Sequence, residues 1–302
     1  MSLKKSNFDT PMLKAANDRK CSFSPLADCI IWVCVFCLSQ LIISLISGVL
    51  IPKLTGSVSD SLSPIDLCCT SVTIAFAVIY CLKIEGRNLL SMGFVKRRAV
   101  VEYVVGLAIG FAMFSLVMLI CKLSGAFELS LAPNLTASVP MLTAFFGGFV
   151  IQGLSEEVLC RSYLLNSLCP KTGVPIALAI SSVAFSLLHI GNTAISPLAL
   201  INIALFGIFA GIYFLRRGSI WGVAAIHTAW NFAEGNIFGV RVSGVTLSTS
   251  VFTATADESL ALLNGGQFGA ENGLAMTLAL LIAIALAIFI PTSSKQRKNG
   301  EF

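Results

Sequence analysis

The chain has 302 residues, of which 56% are hydrophobic and only 12% charged. A mean hydropathy of +0.88, with about half the charge of a soluble domain, excludes an ordinary globular cytosolic protein and a disordered chain. The net charge of +5 lies on tails and loops rather than on a foldable basic surface, so nucleic acid is not an expected partner.

Residues 1–28 read as a flexible cytoplasmic tail of Lys, Asn, Asp and Ser with no sustained period. The apolar run behind it is longer than a signal-peptide core, so no cleavable signal is expected. An apolar helix of about 20 residues crosses the hydrocarbon layer. Eight such stretches follow in order: 29–51, 67–82, 100–121, 139–168, 174–190, 198–215, 220–240 and 274–290. The expected fold is all-α, a polytopic membrane helix bundle of eight transmembrane helices. It forms one membrane domain over 29–291, with a polar core at 139–240 and a second cytoplasmic tail at 292–302. The first three stretches carry almost no mid-membrane polar groups and read as packing and lipid contact. Glu102, at the edge of the third, is expected to face the interface. Gly207-xxx-Gly211 in the sixth lets two helix backbones approach closely. Residues 241–273 form a Ser/Thr/Gly-rich external segment with Asp257, Glu258 and Glu271, either a lid or a long loop.

Orientation follows from where Lys and Arg fall. Lys4, Lys5, Lys14, Arg19 and Lys20 precede the first stretch. Lys83, Arg87, Lys96, Arg97 and Arg98 lie between the second and third. Arg216 and Arg217 follow the sixth, and Lys295, Arg297 and Lys298 the eighth, while the alternate loops hold only Lys53, Lys122 and Arg241. Both termini are therefore expected in the cytoplasm. Most of the ten cysteines sit in or at the ends of apolar stretches, so Cys34-Val-Phe-Cys37 reads as small apolar filler rather than a metal or redox pair.

Stretches four to seven concentrate the polar residues, and ionisable groups at membrane depth are costly enough to be functional candidates by default. In the fourth, Glu157 and Arg161 are four residues apart, share a helix face and can pair. Glu156 is rotated by about 100° and left available. A buried carboxylate with no cationic partner suits a general base. The fifth stretch brings Phe185 and His189 onto one face, where the phenyl ring can fix the imidazole rotamer. The seventh brings His227 and Asn231 onto one face, two neutral donors that can bind an oxyanion. Glu234 follows on that face as a supporting candidate. His189 and His227 are the only histidines in the chain. With about 1.5 Å of rise per residue, these groups fall at compatible depths on antiparallel helices.

Glu156-Glu157-xxx-Arg161, Phe185-xxx-His189 and His227-xxx-Asn231, in that order, resemble the three signature motifs of the CPBP family of CAAX-protease and bacteriocin-processing intramembrane proteases, also called Abi. The resemblance covers 139–240. It implies hydrolysis of a peptide bond in a membrane-associated, lipidated or bacteriocin-like substrate. Carried over, Glu156 activates the attacking water with help from His189. His227 and Asn231 stabilise the oxyanion, and Glu157 with Arg161 forms a structural pair. Glu156, His189 and His227 are also a catalytic zinc ligand set, although the His-Glu-xx-His pattern of zinc proteases is missing. The sequence leaves glutamate and metalloprotease chemistry both open. Alternatives are a non-catalytic immunity or scaffold protein, an ion or proton path for transport, and a b-type haem held by the two histidines, which leaves the glutamates unexplained. The short basic tail without a retention motif points to a prokaryotic cell membrane.

Overall fold

The computed structural model describes residues 10–55, 62–133 and 135–291. Ser/Thr-Pro pairs open several of its helices. The hydroxyl caps a backbone N–H that has no partner within the helix, and proline fits the first helical position. Thr10 opens α1 (Pro11–Asn17) and Ser24 opens α2 (Pro25–Leu54). Ser63 opens α3 (Pro64–Ile84), where Asp66 reaches back to complete a capping box. Then come α4 (Ala99–Leu123), strand β1 (Phe127–Leu131), α5 (Leu135–Thr172) and α6 (Val174–Leu187). Ser196 caps α7 (Pro197–Arg217), and α8 (Ile220–Phe232) runs on into a π-helical turn at Ala233–Ile237. Strand β2 (Phe252–Ala256) and α9 (Leu274–Ala287) complete the order.

Each of the eight apolar stretches falls on one of the helices α2 to α9. Five of them, α2, α3, α4, α5 and α7, are long and apolar enough to cross a membrane, while α6 and α9 are shorter apolar helices. The helical bundle stands, with five candidate spans where eight are expected. Leu41, Leu45, Val104, Leu119, Leu278 and Leu286 remain exposed, the face such helices turn to hydrocarbon. Helix α8 sits at the centre, buried from Gly222 to Asn231. It is reached closely by α4, because a Cβ at Gly106 or Gly110 would collide with the carbonyl oxygen of Gly222 or Ile226. Gly207 does the same for α7 against α6, with Ser182 Cα only 2.9 Å from where its Cβ would stand.

Four further differences from the sequence reading have physical causes. Within the stretch read as a flexible tail, α1 is packed through Met12, Leu13 and Ala16; a seven-residue helix is too short to show a period. Lys4, Lys5, Lys295, Arg297 and Lys298 lie outside the described residues. Glu102 does not face the interface: it is buried and paired with Arg217 of α7, whose Nε donates to it at 3.1 Å. Arg87 is buried against Glu85, and its guanidinium also reaches Ser162 O at 2.7 Å and Ser91 O at 2.8 Å. The external segment is not all loop, since β2 pairs antiparallel with β1 in the register Phe127 to Ala256.

Candidate active site

Helix α5 delivers Glu156 and Glu157 just before a wide π-helical turn at Val158–Leu165; such turns break the helical register and recur at functional sites. The two carboxylates diverge. Glu157 is fully buried, and its Oε1 accepts from Arg161 Nη1 at 2.9 Å and from His227 Nδ1 at 2.9 Å. The Arg161 guanidinium also donates to Gly207 O at 3.3 Å and lies 4.3 Å from the centre of the Phe185 ring. Glu156 instead lines a cavity of about 520 Å³. Its Oε1 accepts from Gln152 Nε2 at 2.5 Å, and its Oε2 is buried with no hydrogen-bond partner, 3.8 Å from His227 Nε2.

The proton positions on both histidines follow from their partners. A carboxylate only accepts, so His227 Nδ1 carries a proton toward Glu157, and Nε2 faces Glu156. His227 therefore donates into the cavity only when its ring carries both protons. That narrows the picture of two neutral donors, and the cause is the Glu157 contact across helices. His189 lies in the turn just past the end of α6. Its Nδ1 donates to Phe185 O at 3.0 Å, which leaves Nε2 as an acceptor in the cavity. Phe185 packs edge-on against both imidazoles, with centroids 5.2 Å from His189 and 5.9 Å from His227.

Asn231 donates through Nδ2 to Gln152 Oε1 at 2.9 Å. Glu156, His189, His227 and Asn231 all line the cavity, whereas Glu157 and Arg161 lie behind it. Glu234 is buried but does not line the cavity; its carboxylate lies toward Ala270 and Glu271 of the external segment. Among the described residues no three His, Cys, Asp or Glu side chains gather closely enough to hold a metal. Glu156, His189 and His227 thus do not fit a zinc site as they are arranged here.

Two sets of cavity residues were not singled out from the sequence. Gln152 stands one turn before Glu156 in no motif, and its only signal was an amide within an apolar stretch. The opposite wall comes from α2 and α3 through Gln40, Ser47, Asp66, Thr70 and Thr73. Their polarity was masked by the length of apolar sequence around them. Val242, Ser243 and Glu271 of the external segment close one side.

Residues 138–233 match the family model described as Rce1-like, Type II CAAX prenyl endopeptidase Rce1-like. The match takes in all three motifs and shows the CPBP resemblance over that stretch. That family is one of intramembrane proteases of the CAAX type, and the match together with the apolar helices makes this an integral membrane protein. No curated protein matches the chain.

Proposed function

We propose that this chain, of the Rce1-like type over residues 138–233, hydrolyses a peptide bond in a membrane-anchored substrate by means of water activated at Glu156. The observation that carries the reading is the division of labour between adjacent carboxylates. Among the described residues, Glu157 is tied through Oε1 to Arg161 and His227 behind the cavity, where its Oε2 has no partner, while Glu156 lines the cavity with no arginine or lysine paired to it and with its own Oε2 unpartnered.

In this reading a water held by Glu156 Oε2 and His189 Nε2 gives a proton to Glu156 as its oxygen attacks the scissile carbonyl. The oxyanion accepts from the second N–H of Asn231 and from Nε2–H of His227 once that ring carries both protons, its charge balanced by Glu157. Glu156 then passes the proton to the leaving nitrogen, the C–N bond breaks, and a carboxylic acid and an amine depart. Glu157 and Arg161 touch no substrate; they hold His227 and the first motif in place. No step requires a metal.

The cavity is bordered by α2 and α3, which present large apolar faces outward. A lipid-anchored peptide is the substrate class that reaches such a site from the bilayer, with a prenylated C-terminal peptide as the first choice. The orientation we propose puts the 83–98 loop and the Arg216–Arg217 end of α7 on the cytoplasmic side, in keeping with their lysines and arginines. The test compares purified protein on a farnesylated C-terminal peptide, the same peptide unmodified, and soluble casein. Cleavage of the farnesylated peptide alone supports the reading, and cleavage of casein alone rejects it.

A further inference from the structure

Resting on the protease reading above, we infer that Gln152 is a positioning residue that couples the water-activating carboxylate to the oxyanion donor and fixes the polarity of both. Its primary amide bridges two helices: Nε2 donates to Glu156 Oε1 at 2.5 Å, and Oε1 accepts from Asn231 Nδ2 at 2.9 Å. The direction of this chain does not depend on how the amide atoms are assigned. An ionised carboxylate only accepts, so the face of Gln152 toward Glu156 must be its NH₂. Its carbonyl then faces Asn231, and Asn231 must answer with an N–H.

Two consequences follow for catalysis. Glu156 is clamped through one oxygen, so the other, Oε2, is the atom left for water, 3.8 Å from His227 Nε2. Asn231 is held with its NH₂ group, not its carbonyl, turned along the cavity wall, so its second N–H is the one that meets a developing oxyanion. Without Gln152 the Asn231 amide can turn over and present an acceptor, which repels negative charge. The carboxylate can rotate about its last torsion at the same time, a torsion with only soft preferences. Gln152 itself lines the cavity but is spoken for at both ends, so it acts through its two neighbours.

The test is steady-state cleavage of the preferred membrane peptide by wild type, Gln152→Leu, Asn231→Ala and the double variant, with kcat and KM resolved. Unfolding midpoints in the same detergent are measured alongside. Gln152→Leu is expected to lower kcat by about tenfold to a hundredfold, with KM within about twofold and the unfolding midpoint unchanged. Independent effects multiply, whereas effects through one chain do not; the double variant should fall short of the product of the single losses by about tenfold. Should Gln152→Leu fail to fold, Gln152→Glu serves, since it keeps the acceptor for Asn231 but sets a second carboxylate against Glu156; it too should lose kcat. A folded variant at either position-152 substitution with wild-type kcat, or losses that multiply, overturns the inference while wild-type cleavage leaves the protease reading intact. Wild-type protein that cleaves no peptide rejects that reading and the inference with it.

Discussion

Arg161→Met removes a buried cation while leaving its partner in place. Both Arg161 and Glu157 are fully buried, and their ion pair spans 2.9 Å. Removing one member of such a pair costs about 3–5 kcal/mol, because an uncompensated charge remains in the interior. Methionine also forfeits the bond to Gly207 O and the guanidinium stacked 4.3 Å from Phe185, the latter about 0.5–2 kcal/mol of the same total. His227 Nδ1 still donates to Glu157, which places the expected loss near the lower end, about 3 kcal/mol. The double variant Glu157→Gln/Arg161→Met removes the stranded charge, and its glutamine oxygen can still accept from His227. It should therefore be less destabilised than Arg161→Met alone. Reversible denaturation in mixed micelles measures both. A loss below about 1 kcal/mol for Arg161→Met, the range of an exposed pair, or a double variant no more stable than the single, would refute the reasoning.

Further outcomes are expected. Asn231→Ala and His227→Ala each should lower kcat by about 10²–10³-fold, the cost of losing one oxyanion donor, as read by peptide cleavage. Gly106→Val drives a side chain into the Gly222 carbonyl and should destabilise the α4–α8 packing by about 1–3 kcal/mol, seen as a lowered unfolding midpoint. A membrane-permeant maleimide should leave Cys160 and Cys169, which are buried, unlabelled until the protein unfolds; mass spectrometry of the labelled peptides checks this.

Where the sequence was legible, periodicity and spacing were the reason. Eight apolar stretches mark the eight helices α2 to α9, and the four-residue spacings put Glu157 beside Arg161 and Phe185 beside His189. What was not legible depends on contacts between helices. Nothing near His227 in sequence announces Glu157, seventy positions away, yet that contact decides which ring nitrogen bears the proton. Gln152 gains its place only when α5 and α8 come together. Glu102 meets Arg217 for the same reason, 115 positions apart. Where the Glu234 carboxylate points was not legible either: the chain widens into a π-helical turn after Phe232, and the carboxylate lies toward Ala270 and Glu271 of the external segment. The short helix α1 and the β1–β2 ribbon lay outside the long apolar stretches, and the alternation of Phe127-Glu-Leu-Ser-Leu131, a strand signal, went unread because five residues are too few to stand out beside them.

The most direct measurement is proteolysis of a quenched library of membrane peptides by detergent-purified wild type and Glu156→Gln, each with and without a strong chelator. Glu156-activated water predicts cleavage by wild type that persists with chelator and vanishes in Glu156→Gln. Cleavage that survives in Glu156→Gln, or that is lost from wild type when metal is removed, contradicts it.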